Sequence, residues 1–222
     1  MSVSSLAMKP DIPSVRSQMA EGIDPSELAG IYDEDLNIAV WQRTLAPNLK
    51  QVVASFVEAN PTFKTSMTVT ANNVLPSLID GLGKTEAISP LVEDIARLVE
   101  MFCCLFELKR VGLRLTVLSH AMCPRFHVDR IPCRLVTTYQ GSATQWLTNA
   151  AADRSMLGHA NGGLPDHESG LYSHSDNVQQ LKAGDVSLLK GELWEGNEGA
   201  GLIHRSPNTD LPRLLLTLDF SF

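Results

Sequence analysis

The sequence has no long hydrophobic run. Its longest apolar stretch, near Leu98–Leu108, is interrupted or flanked by Glu100 and Glu107. It is too short and too polar to span a bilayer, which takes about 20 apolar residues. The opening residues, MSVSSLAMKPDIPSVRSQ, lack the apolar core of a secretory signal. Cysteine is scarce, and four in a chain of 222 residues do not make a disulfide framework. A cytoplasmic protein without a membrane partner is therefore expected. Cys103 and Cys104, adjacent on an expected helix, are read as core filling. Cys123 and Cys133 bracket a short strand with a spacing that fits no familiar zinc pattern. Positive charge is also in short supply. The formal net charge is −7, and no Lys/Arg cluster offsets it locally. That argues against a non-specific nucleic-acid binder. There is no internal repeat.

What is present is an ordinary apolar fraction of 44% in a chain long enough for a sizeable core. One domain, or one domain with a helical annex, is expected. Residues 1–32 read as an arm with at most one short turn of helix. Residues 33–108 read mainly as a helical layer. Asp33 or Asp35 would cap a helix over 36–45, Pro47 would open a second to about Glu58, and residues 74–82 and 90–108 would form two more. Residues 62–70 read as an edge strand. Near Val111 the apolar period changes from 3.6 to two, and short strands follow between Gly, Pro and Asp turns. The fold class expected is α+β. Residues 111–222 would form a double-stranded β-helix (a cupin-like jelly roll), with the helices packed on one sheet. Residues 33–222 would be one domain. The polar stretch 149–177 is too long for an ordinary connection and is expected to be a functional lid or a mobile loop.

The chemistry centres on Cys123-Pro-Arg-Phe-His-Val-Asp-Arg-Ile-Pro-Cys133. His127 and Asp129 are separated by one residue, and on an extended strand such residues share a face. An imidazole nitrogen and a carboxylate oxygen can then reach one metal ion. His204 is the best third ligand. Two histidines and one carboxylate, with open positions opposite, make the facial triad of non-haem Fe(II) sites. His120 competes for the third position but precedes the His-x-Asp pair. His159, His167 and His174 lie in the polar loop, with His174 a substitute if that loop folds inward. The plain alternative is that Asp129 pairs with Arg125 or Arg130 at the surface. Arg213 follows His204 by nine residues and could hold a carboxylate with its planar fork. In Arg213–Phe220, Arg213, Leu215, Thr217 and Asp219 share one face.

The order His-x-Asp, distal His, then Arg resembles the Fe(II)/2-oxoglutarate dioxygenases. The runs CPRFHVDRIPCRLVTTYQGSATQWL (123–147), LKAGDVSLLKGELWEGNEGAGLIHRSP (181–207) and RLLLTLDF (213–220) resemble the bacterial family called domain of unknown function 1826. The first resemblance implies an oxygenase that uses Fe(II) on His127, Asp129 and His204. It implies 2-oxoglutarate with its far carboxylate on Arg213, and hydroxylase-type oxidation of a small-molecule or peptide substrate. Many such enzymes place a Ser or Thr two residues after the Arg, where this chain has Leu215. Thr137 or Tyr139 is expected to assist instead. Trp146, Asn197 and Arg125 are lesser candidates for substrate contacts, Asn197 also as a support for His204. A second reading is a non-redox, cupin-like metal protein, which the resemblance to the second family implies is tied to zinc homeostasis; zinc takes the same ligand types. A third, an interaction module without metal, leaves the His-x-Asp and distal His unexplained.

Overall fold

The computed structural model describes residues 19–83, 86–158, 162–209 and 211–221. In chain order its main elements are β1 (Met19–Gly22), β2 (Ile38–Trp41), α1 (Pro47–Ala59), β3 (Lys64–Val69), α2 (Val74–Leu82), α3 (Ser89–Leu105), β4 (Val111–Leu118), β5 (Cys133–Gln140), β6 (Gln145–Leu147), β7 (Gln179–Gln180), β8 (Val186–Lys190), β9 (Ile203–Arg205) and β10 (Arg213–Phe220). The helices form where the sequence offers one apolar stripe and a proline in the first turn. Pro47 opens α1, which buries Leu49, Val53, Phe56 and Val57. In α3 the stripe is Leu91, Ile95, Leu98, Val99 and Phe102. Gly83, at φ 103, closes α2 in a conformation that a side chain would resist.

Seven strands form a large sheet in the order β1-β2-β8-β5-β10-β4-β3, and three form a small one in the order β7-β6-β9. Every neighbouring pair is antiparallel except β1 and β2. The architecture is mixed α/β in layers. One face of the large sheet packs Leu113, Leu115, Leu214, Leu216 and Leu218 against the helices. The other packs Ile38, Val40, Val136, Leu189 and Leu215 against Trp146 and Leu202 of the small-sheet side. Because both faces are covered, β8 reads as a continuous buried run rather than an alternating one.

Two local expectations are corrected. The stretch 36–45 is not a helix: its centre is β2, antiparallel to β8. Ile38 and Val40 go to one face and Ala39 to the other, so alternation and β-branching outweigh the possible Asp cap. Residues 19–32, expected as arm, form the edge strand β1 and a 3-10 helix (Pro25–Tyr32) that buries Leu28 and Ile31. Residues 1–18 lie outside the described residues. Strand β3 is at the sheet edge, as expected. The described residues of 149–177 do not stand free. Leu171, with Met156, Leu157 and Tyr172 packed near it, forms an apolar cluster with Phe126, Leu147 and Ile203. This places a layer on the outer side of the small sheet. Among the described residues no helix is long and apolar enough to cross a membrane.

Candidate metal centre

His127 lies beside β9 and extends the small sheet by one bridge. His127 N–H donates to the His204 carbonyl at 3.0 Å, and His204 N–H donates to the His127 carbonyl at 2.9 Å. Residues that exchange both backbone bonds in this way present their side chains on one face. The two imidazole centroids are accordingly 4.6 Å apart. Asp129, two residues on, shares the face of His127. One ligand atom from each of His127, Asp129 and His204 lies within 4.8 Å of the others. His127 Nε2 is 3.7 Å from Asp129 Oδ1, and His204 Nε2 is 3.4 Å from Asp129 Oδ2.

The tautomers suit a cation. Nδ1 of His127 sits 2.9 Å from the Arg125 carbonyl, and Nδ1 of His204 sits 3.0 Å from the Leu202 carbonyl. A carbonyl only accepts, so each Nδ1 carries the proton and donates it. Each Nε2 is therefore turned to the face shared with Asp129, where a metal ion would displace its proton. Burial, then the charge on His204, pushes the His127 pKa down and favours the neutral, ligating imidazole. Burial alone would raise the Asp129 pKa. The His204 hydrogen bond and the charges of His204, Arg134 and His127 outweigh it and hold the carboxyl well below the usual range.

Asp129 is fixed from two sides. Arg134 Nη1 donates to Asp129 Oδ2 at 2.6 Å, while Arg134 Nε and Nη2 grip Asp219 at 2.7 and 3.0 Å. The backbone after Asp129 is stitched to the end of β8: Glu192 N–H donates to the Asp129 carbonyl and Gly191 N–H to that of Pro132. Gly191 permits this approach. A Cβ there would lie 2.0 Å from the Ile131 carbonyl oxygen.

His127 and His204 line a cavity of about 400 Å³ that also reaches Arg213. Arg213 is 1% exposed. Its guanidinium donates to Thr138 Oγ1 at 3.2 and 3.1 Å, Ser206 Oγ at 2.7 Å and Thr144 Oγ1 at 3.0 Å. Among the described residues no carboxylate lies against it. Burial, with no opposing charge, brings its pKa down to about 10, so it remains charged at neutral pH.

The expected residues fall into two groups. His127, Asp129 and His204 converge, and Arg213 opens on the same cavity. Tyr139 and Thr137, expected beside Arg213, do not meet it. The Tyr139 hydroxyl donates to Asp94 Oδ2 at 2.7 Å, within the helix-facing layer. Thr137 pairs with Leu216, which belongs to that layer too. Thr138, Thr144 and Ser206 take the place assigned to them. Trp146, Asn197 and Arg125 do not line the cavity. Trp146 packs between the sheets, the Asn197 amide donates to the Gly191 carbonyl, and Arg125 binds Asp166 at 2.9 Å. His120 is turned to Ser119, His167 pairs with Glu168, and His174 is exposed. His159 lies outside the described residues. Sequence reasoning missed Arg134, Ser206 and Asp166. Ser206, two residues after His204 on an extended stretch, carried a usable signal. Asp166, 41 residues from Arg125, carried none.

The fold is similar to that of the dioxygenase for auxin oxidation of rice. The TM-score is 0.54 at 11% identity, covering 92% of this chain and 83% of that one. It is also similar to dioxygenase for auxin oxidation 1 from Arabidopsis thaliana, solved in complex with 2-oxoglutarate. There the TM-score is 0.52 at 8% identity, with 91% of each chain covered. At these identities the likeness is one of fold. No curated protein matches the sequence. The chain belongs to the family of proteins of unknown function DUF1826, which matches residues 22–219.

Proposed function

We propose that this protein is an Fe(II)- and 2-oxoglutarate-dependent oxygenase, built on a double-stranded β-helix whose two walls are the large and small sheets. The observation that carries the reading is the company Arg213 keeps. A fully buried guanidinium with three hydroxyl partners and, among the described residues, no acid is costly unless an anion joins it. It opens on the cavity that holds the two histidines of a His-Asp-His group. Auxin dioxygenases share the fold, one of them in a complex with 2-oxoglutarate, which agrees with that anion being the cosubstrate.

His127, Asp129 and His204 would hold iron. The donor set fits, with two imidazoles whose Nε2 atoms face one carboxylate that is held ionised. When bound, iron and 2-oxoglutarate together supply oxidation of a substrate C–H bond by dioxygen, with the cosubstrate converted to succinate and carbon dioxide. The remaining work belongs to the chain. Arg213 binds the far carboxylate of 2-oxoglutarate in a dry pocket, where a charge-assisted fork is strong. Ser206, Thr138 and Thr144 hold the guanidinium in place. Arg134 keeps Asp129 charged and oriented. Leu189, Val136 and Leu215 provide an apolar wall that limits water. We take the protein to be cytoplasmic and to act independently of nucleic acid.

The test is dioxygen-dependent formation of succinate from 2-oxoglutarate by the Fe(II)-loaded protein. The reading expects turnover that stops in His204→Ala. Metal binding without any 2-oxoglutarate binding would move the protein to the non-redox class.

A further inference from the structure

The small sheet covers only part of the large one. Beyond it the cavity continues over β10, β4 and β3, and there its floor changes character. Pairing across these strands sets Thr217 beside Arg114 and Arg114 beside Ser66 in one row. In the next row Thr116 lies beside Lys64. All five side chains line the cavity. They make a patch of two cations and three hydroxyls, with Leu215 completing the Thr116 row.

The charge of this patch is not inherited from the chain, whose formal net charge is −7. Five cations line the cavity: Lys64, Arg114, Arg134, Arg205 and Arg213. Among the described residues three carboxylates answer them. Asp129 and Asp219 hold Arg134, and Asp166 holds Arg205 at 3.1 Å while also binding Arg125. Arg114 reaches Asp219 only at 3.5 Å, on a carboxylate already held at both oxygens by Arg134. Lys64 has no acid partner among the described residues. Lys64 and Arg114 thus sit at the mouth of the cavity among hydroxyls, with the shared Asp219 as their one carboxylate neighbour among the described residues.

We infer that the open end of the cavity, floored by Lys64, Ser66, Arg114, Thr116 and Thr217, binds an oxyanion group, phosphate or carboxylate, of a small primary substrate. Arg114 and Lys64 supply the charge, and the hydroxyls donate to the remaining oxygens. The patch lies on the same cavity as His127 and His204 but on different strands from Arg213's partners, so two anions are held apart. The cavity volume, about 400 Å³, is near the lower end for a ligand pocket and must also take the cosubstrate. The substrate's charged end therefore rests on the open β3–β4 edge, with its reacting end turned inward. The identification of the anion as substrate rests on the oxygenase reading, whereas the anion site itself does not.

The experiment titrates inorganic phosphate and, separately, acetate into the Fe(II)-loaded, 2-oxoglutarate-saturated protein without oxygen. It compares the parent with Lys64→Ala and Arg114→Ala and measures 2-oxoglutarate affinity in each. Both residues are exposed, and unchanged 2-oxoglutarate affinity is the check on folding. At least one probe should bind the parent, and its affinity should fall about tenfold in each variant. The stronger probe tells phosphate from carboxylate. The inference is overturned if neither probe binds, if the variants bind like the parent, or if the probe binds only by displacing 2-oxoglutarate. If the parent binds no 2-oxoglutarate yet keeps a probe site that needs Lys64 and Arg114, the anion site stands and the oxygenase reading falls.

Discussion

Two arginines on opposite sides of the large sheet, Arg43 largely buried and Arg213 fully so, separate stability from chemistry in this molecule. Arg43 lies on the helix side. It forms a two-pronged contact with Asp94 at 2.7 and 2.9 Å, and Tyr139 donates to the same carboxylate at 2.7 Å. Burial opposes its charge, but the Asp94 hydrogen bond and the nearby Tyr139 and Asp94 outweigh it, and its pKa rises. Arg213 lies on the cavity side with hydroxyls alone, and its pKa falls. Burial acts on both, and among the described residues only Arg43 has a counter-ion. A guanidinium that is already neutralised closes a layer. One that is not is a receptor for an anion, and the protein bears the cost of holding it until the anion arrives.

The comparison can be broken from either side. Asp94→Ala leaves Arg43 buried without its partner and should cost about 3–5 kcal/mol of stability, read from the denaturant midpoint. The double variant Arg43→Met/Asp94→Leu should recover most of that loss, whereas an unrecovered double variant would show that packing, not charge, sets the effect. On the cavity side, His204→Ala and Asp129→Ala should each weaken Fe(II) binding by at least about 100-fold while the fold persists, because each removes one of three ligands. Arg134→Met should weaken it less, about 10- to 100-fold, because it only orients and charges Asp129. The last variant is the most discriminating. Arg213→Met should leave the ligand-free protein as stable as the parent or more so, by up to about 4 kcal/mol, since it removes an uncompensated buried charge. A clear loss of stability would mean that Arg213 is structural, like Arg43.

Much of this was legible in the sequence. Strands β4, β5, β8 and β10 and helices α1 to α3 follow apolar periods long enough to be read. The His-x-Asp pair, His204 and Arg213 are found by spacing on extended chain. What failed has physical causes. β2 has four residues, too few for a two-residue period to outweigh a nearby helix cap, and it is buried on both faces. The choice of Thr137 and Tyr139 over Thr138 is a parity error. β5 is buried along nearly its whole length, so burial pattern does not mark which side faces the cavity. An irregularity in the β10–β5 register at Leu214/Leu215 hides the pairing further, and a one-residue slip reverses every side chain. Arg134 and Asp219 meet across strands 85 residues apart in sequence, which no local pattern records.

The account stands most directly on what Arg213 is for. The measurement is the affinity of 2-oxoglutarate for the Fe(II)-loaded protein without oxygen, in the parent and in Arg213→Ala and Arg213→Lys, with Fe(II) affinity followed in parallel. Losing one side of a buried charged pair costs about 2–5 kcal/mol, so Arg213→Ala should bind 2-oxoglutarate roughly 30- to several-thousand-fold more weakly. Arg213→Lys should restore only part of this, because an ammonium lacks the planar fork. Fe(II) affinity should be unchanged in both. Equal 2-oxoglutarate affinity in parent and Arg213→Ala would contradict the account.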